Sequence, residues 1–332
     1  MLHRPSRLVA ATAAATALAL LTSGCAASGR DDVPTVAAAF GPLAWVAEQV
    51  AGDEFEVVNL TTPGAEPHDL ELGIAQVVEV EQADLVVLLD GFQPAVDSAA
   101  QNVAEGTVLD AADVADLVAP EDHAAEGGHE GHDHADEHDH EADADHEREE
   151  GHAGHDGHDH GDLDPHFWLD PLRMASLADA VADELSAINP AGADGYAQRA
   201  AEVREQLEQI DAEWTGAFEQ CERDTVVVTH EAFGYLTRYG LHFEAIAGLS
   251  PGAEPTPADL ARLQRLIADE QITTVFSEAR ATAKMAQTLA RDAGVGTAVL
   301  DPLEGVETSG TSDYPHSMAA NLAALKQANG CR

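Results

Sequence analysis

The chain has 332 residues, long enough for two domains with separate cores. Its 16 Lys and Arg stand against 61 Asp and Glu, a net charge of -45 that repels nucleic acid and anionic headgroups and concentrates cations. Nucleic-acid binding is thereby excluded as a function class.

Residues 1–24 read as an export signal: Arg4 and Arg7 give a basic start, Leu8 to Leu21 an apolar run, and small residues precede Cys25. LTSGC is similar to a bacterial lipobox, with Thr22 where Leu is commonest. The expected outcome is acylation of Cys25 and a tether over residues 25–32, which hold the mature protein outside the cell, on the outer face of its membrane. The alternative is an ordinary cleaved signal with Cys25 incidental.

Strand-like and helix-like runs then alternate. PTVAAAF (34–40), FEVVNL (55–60) and DLVVLLD (84–90) predict strands, with helices running to Val50 and through LELGIAQVVEVEQA. GTVLDAA (106–112) predicts a short fourth strand. From Glu121 to Asp164 apolar residues almost vanish and His, Asp, Glu and Gly take over, which predicts a disordered insert. Pro171 opens a helix, and residues 196–221 carry a long helical pattern with Leu207, Ile210, Trp214 and Phe218 on one face.

The alternation resumes with DTVVVTH (224–230), a helix over AFGYLTRYG, LHFEAIAG, and a helix capped by Thr256 and opened by Pro257. ITTVFSE (272–278), a helix ended by Gly294, GTAVLD (296–301) and a helix from Tyr314 to Gln327 complete the chain. The expected fold is α/β: two lobes, each a small, mainly parallel sheet flanked by helices, joined by one long helix. The boundaries follow as 33–190 for the first lobe with its insert, 191–221 for the connector and 222–332 for the second lobe.

In such sheets ligands bind beyond the carboxyl ends of strands. His68 lies in the loop leaving FEVVNL, His230 ends DTVVVTH, Asp301 ends GTAVLD, and His166 precedes a helix in DPHFWLDP. Three imidazoles and a carboxylate drawn from both lobes suit tetrahedral zinc, whereas manganese favours more oxygen. Glu278, at another strand end, and Glu66, two residues before His68, are candidates to hydrogen-bond a ligand histidine or to supply an alternative oxygen. His242 reads as strand-edge packing and His316 as an exposed helix residue.

The insert adds His123, His129, His132, His134, His138, His140, His146, His152, His155, His158 and His160, which could capture or buffer metal weakly while ordering on it. Cys221 and Cys331 lack nearby CxxC or Cys/His partners. In an oxidising compartment they read as a disulfide or as two buried thiols rather than a zinc pair.

TTPGAEPHDLEL, the acidic His-rich insert, DPHFWLDP, THEAFGYLTRYGL, GLSPGAEPTP, VFSEA, VLDPLEG and YPHSMAANLAAL together resemble the ZnuA-type solute-binding lipoproteins of bacterial ABC zinc importers. The resemblance covers nearly the whole mature chain. It implies a zinc receptor without catalysis, metal ligation by His68, His166 and His230, and Asp301 at the carboxylate position of related manganese binders. Water or a different carboxylate is the alternative fourth ligand in the zinc branch. It further implies a Cys221–Cys331 disulfide, a monomer, and a permease with its ATPase as partners. The competing readings are a manganese-binding homologue, a metal store or chaperone, and a zinc hydrolase, the last lacking an HExxH motif.

Overall fold

The computed structural model describes residues 33–62, 65–123, 163–249, 255–278, 283–305 and 313–332, and Pro34–Arg332 form one compact unit. The export signal, Cys25 and the ten insert histidines from His129 to His160 lie outside the described residues.

The first sheet holds β1 (Thr35–Ala38), β2 (Glu56–Asn59), β3 (Leu85–Leu88) and β4 (Thr107–Asp110), all parallel, in the order β2-β1-β3-β4. The second repeats that topology with β5 (Thr225–Val228), β6 (His242–Ala245), β7 (Thr274–Ser277) and β8 (Gly296–Val299), ordered β6-β5-β7-β8. The central strands β3 (LVVL) and β5 (TVVV) are buried along their whole length, and apart from Thr225 they are apolar throughout. Edge strands carry polar residues: β6 reads HFEA and begins at an exposed His242. The strand-edge reading of His242 therefore holds.

Crossovers are made by α1 (Gly41–Ala51), α2 (Ile74–Gln82) and α3 (Pro94–Val103) in the first sheet. A short α4 (Ala112–Ala115) follows β4. In the second sheet they are made by α7 (Pro257–Asp269) and α8 (Ala283–Ala293). At α7 the Thr256 hydroxyl accepts from Asp259 N while the Asp259 carboxylate accepts from Thr256 N, a reciprocal cap. Within the predicted helix AFGYLTRYG, Gly234–Tyr239 takes the 3-10 form and is closed by Gly240 at φ 84. Two glycines so close together leave no room for an α-helix of useful length.

Between the sheets run α5 (Pro171–Ile188) and α6 (Ala193–Trp214). Along α6 the buried residues Tyr196, Ala200, Val203, Leu207, Ile210 and Trp214 recur every three or four positions, one continuous stripe. Asp170 caps α5 by accepting from Leu172 N at 2.9 Å and also accepts from Arg238 Nη1 at 2.8 Å, while Tyr239 donates to Asp211 of α6 at 2.8 Å. These bonds dock the turn of the second lobe onto both long helices. The predicted helix to residue 221 stops at Trp214, because the chain turns at Gly216 with φ 73.

The closing α9 (Tyr314–Asn329) is capped by Asp313 and ended by Gly330 at φ 69. Its end returns to the start of the second lobe, where Cys221 and Cys331 form a disulfide and the amides of Glu222 and Arg223 both donate to Asn329 O. His316 is exposed on this helix, as expected.

Candidate metal centre

His68 lies in the loop leaving β2. That loop is held by Gln93, a buried residue whose amide nitrogen donates to Thr61 Oγ1 at 3.0 Å and to Pro67 O at 3.1 Å. Thr61 in turn donates to Ala39 O beyond β1, so the backbone next to His68 is tied into the sheet. Phe92 meets the His68 ring edge-on, with centroids 4.7 Å apart.

His166 precedes the 3-10 turn Phe167–Leu169, whose three side chains are all fully buried. The Asp164 carboxylate accepts from both His166 N (2.9 Å) and His166 Nδ1 (2.7 Å). His230 follows β5, and its Nδ1 lies 2.5 Å from Glu278 Oε1, which also accepts from the Thr229 hydroxyl. An ionised carboxylate only accepts, so in both histidines Nδ1 carries a hydrogen and Nε2 faces the cleft.

Glu304 completes the group. Its Oε1 lies 3.2 Å from His68 Nε2, 3.4 Å from His230 Nε2 and 3.6 Å from His166 Nε2. One ligand atom from each of these four residues falls within 4.8 Å of the others. His166, His230 and Glu304 are buried and His68 is the partly open member. The His166 and His230 Nε2 atoms are buried without a hydrogen-bond partner among the described residues, although they point at one carboxylate. Buried polar nitrogens left so are costly unless a cation joins them.

Asp301, the expected carboxylate, is not in the group. Its Oδ1 accepts from Leu303 N at 2.9 Å and its backbone is held by Asn321, so it shapes the turn after β8. Leu303, at φ 63, then carries Glu304 into the cleft. Trp168 braces that turn by donating Nε1 to Pro302 O at 2.7 Å, and Tyr314 holds Trp168 by donating to its carbonyl at 2.7 Å. The sequence signal was present in DPLEG: an Asp opening a turn commits its own carboxylate to the backbone, which left the glutamate free.

Glu278, expected either to hydrogen-bond a ligand histidine or to supply an oxygen, lies against His230 Nδ1 and outside the group of four. Glu66 does not join the four, and its carboxylate meets His68 N only at 3.5 Å. His123 departs from its reading as one of a disordered series: it is buried, and its Nε2 lies 2.8 Å from Asp164 Oδ2.

The site is electrostatically coupled. Burial pushes the Glu304 carboxyl up, yet the surrounding histidines hold it well below the usual carboxylate range. Burial likewise opposes protonation of His230, but Glu278 and Glu304 raise it to about 9, and Asp164 and Glu304 raise His166. Asp164 is held at about 2, its burial overcome by hydrogen bonds from His123 and His166. Without metal, protons on His166 and His230 balance the carboxylates.

A pair of parallel-sheet lobes bridged by long helices, with donors from both lobes meeting at the strand ends, defines a two-lobed α/β solute-binding protein. The family model described as "Zinc-uptake complex component A periplasmic" matches residues 36–328, and the chain belongs to that family. It is 32% identical over 300 residues to the zinc-binding lipoprotein AdcA of Streptococcus pneumoniae (strain ATCC BAA-255 / R6), covering 87% of this chain and 54% of that protein. The chain thus spans about half the length of the curated AdcA relatives it matches. It is 30% identical over 312 residues to the high-affinity zinc uptake system protein ZnuA of Bacillus subtilis (strain 168), covering 92% of this chain and 90% of that one. Among solved structures it is similar to the Zn(II)-bound ZnuA-like domain of Streptococcus pneumoniae AdcA, with TM-score 0.66, 29% identity, and coverage of 90% of this chain and 98% of that one.

Proposed function

We propose that this protein is an extracytoplasmic zinc receptor that binds Zn(II) through His68, His166, His230 and Glu304 and delivers it to an ABC permease driven by a cytoplasmic ATPase. The observation that carries the reading is the convergence of three imidazole nitrogens and one carboxylate oxygen within 4.8 Å, drawn from four loops of two lobes. Three nitrogens and one oxygen match tetrahedral zinc at about 2.0–2.2 Å per ligand, whereas manganese favours a richer oxygen shell. Both relatives described above carry zinc in their names.

A hydrolase needs an open coordination position, and the presence of a fourth protein donor in the cluster favours the receptor reading over it. The remaining parts of the reading are acylated Cys25 as membrane anchor and a His-rich insert that captures or buffers metal. The receptor acts as a monomer.

The test is zinc titration of the full chain against a chelator strong enough to empty the insert. One tightly held ion per chain, lost in a His68→Ala, His166→Ala, His230→Ala triple variant, supports the assignment. Retention of that ion in the triple variant overturns it.

A further inference from the structure

His123 opens the His-rich insert in sequence, yet it is built into the protein rather than offered to solvent. Its side chain is 6% exposed and its Nε2 lies 2.8 Å from Asp164 Oδ2, while Asp164 Oδ1 accepts from Nδ1 and the backbone of His166. Asp164 therefore stands between two imidazoles, one facing the cleft and one at the root of the insert.

The surroundings fix the His123 ring from several sides. Tyr235 meets it edge-on at 4.6 Å, and the Tyr235 hydroxyl donates to Asp164 O at 2.9 Å while accepting from Val118 N at 3.3 Å. Thr237 donates to the His123 carbonyl at 3.0 Å. Gly234 admits the ring: a Cβ there would come within 2.5 Å of His123 Cδ2 and Nε2. Gly234, Tyr235 and Thr237 belong to the turn that follows His230, so one cluster joins the insert's root, Asp164 and segments carrying two members of the metal centre.

From this juxtaposition we infer that His123 is a positioning residue for His166, acting through Asp164, and not one of the metal-gathering histidines of the insert. A carboxylate with two lone-pair faces can rotate; a donor on each oxygen fixes its plane. With Oδ2 held by His123, Oδ1 is aimed at His166 Nδ1, and the imidazole keeps Nε2 turned to the ion. The inference rests on the zinc-receptor reading above and assigns a role within that site. Both ends of the insert, at residues 123 and 164, are thereby pinned beside the metal centre.

The experiment compares four substitutions in the full chain by zinc competition against the same chelator, with thermal unfolding midpoints measured on the same samples. His123→Phe keeps the ring packing and removes the donor; it is expected to weaken the tight site about 10- to 100-fold, the usual scale for an outer partner of a ligand histidine. His123→Gln, whose amide reaches the former Nε2 position, is expected to restore binding to within about threefold of wild type, and His123→Asn, one methylene shorter, is not. His140→Phe, within the insert, is expected to leave the tight site unchanged. Should the Phe variant unfold early, the Gln–Asn comparison decides alone. The inference is overturned if Phe matches wild type, if Gln and Asn bind alike, or if His140→Phe weakens the site as much as His123→Phe. A wild-type chain that yields all its zinc to the chelator would instead sink the receptor reading itself.

Discussion

Glu304 Oε1 lies 3.2 Å from His68 Nε2 although 236 residues separate them in the chain. One residue belongs to the first lobe and the other to the second, so each lobe holds an incomplete donor set, and only their apposition makes four. Glu304→Gln removes the charge that balances the cation while keeping the shape. Zinc affinity in a competition titration should fall at least about 100-fold, or ~2.7 kcal/mol. Asp301→Asn can still accept from Leu303 N through its amide oxygen and should leave affinity within about threefold of wild type.

The pH dependence has opposite signs with and without metal. In the metal-free protein His230 is raised to about 9, so the stability it contributes is fully present below its ordinary value of about 6.5 and is lost as pH rises through 9. Zinc requires the neutral imidazole, so binding expels that proton at neutral pH and affinity climbs with pH until about 9. Calorimetry at pH 7 in buffers of different ionisation enthalpy should show at least one proton released per zinc. The metal-free unfolding midpoint should decline from pH 6.5 to 9.

The Cys221–Cys331 disulfide closes the second lobe on itself, with Glu222 and Arg223 hydrogen-bonded alongside it to the end of α9. Replacing both cysteines by serine should cost about 2–4 kcal/mol in denaturant unfolding. Zinc affinity should change little, since the bond lies at the opposite end of β5 from His230.

Trp168 donates to Pro302 O within the turn that presents Glu304. Trp168→Phe retains most of the aromatic contact with Phe40 and Phe92 but leaves that buried carbonyl without its donor. A loss of about 1–3 kcal/mol in stability is expected, together with faster zinc release measured by stopped-flow transfer to a chelator.

The insert and the centre should separate on deletion. Removing residues 124–162 leaves His123 and Asp164 in place, so the tight site should persist while the number of weakly bound ions falls. Loss of all binding would favour the metal-store reading instead.

Much of this was legible in the sequence because a parallel sheet writes plainly. Runs such as LVVL and TVVV mark buried central strands, and histidines just beyond β2 and β5 fall where such sheets bind ligands. The α7 cap was readable from Thr256 and Pro257. Glu304 was not found because strand-end position favours Asp301, and only the left-handed Leu303 and the backbone-bound Asp301 carboxylate reverse that choice. Composition placed His123 among its neighbours in the insert, since burial by Tyr235 and the gap at Gly234 depend on residues over 100 positions away. The helix α3 was passed over although Pro94 opens it, because its small and polar residues bury only one narrow face.

The most direct measurement is anomalous diffraction at the zinc edge from crystals of the full chain grown with one equivalent of zinc. A single strong peak is expected about 2.0–2.2 Å from the Nε2 atoms of His68, His166 and His230 and from a Glu304 carboxylate oxygen. A peak bound only by insert histidines, or one beside Asp301 with Glu304 turned away, would contradict this site assignment.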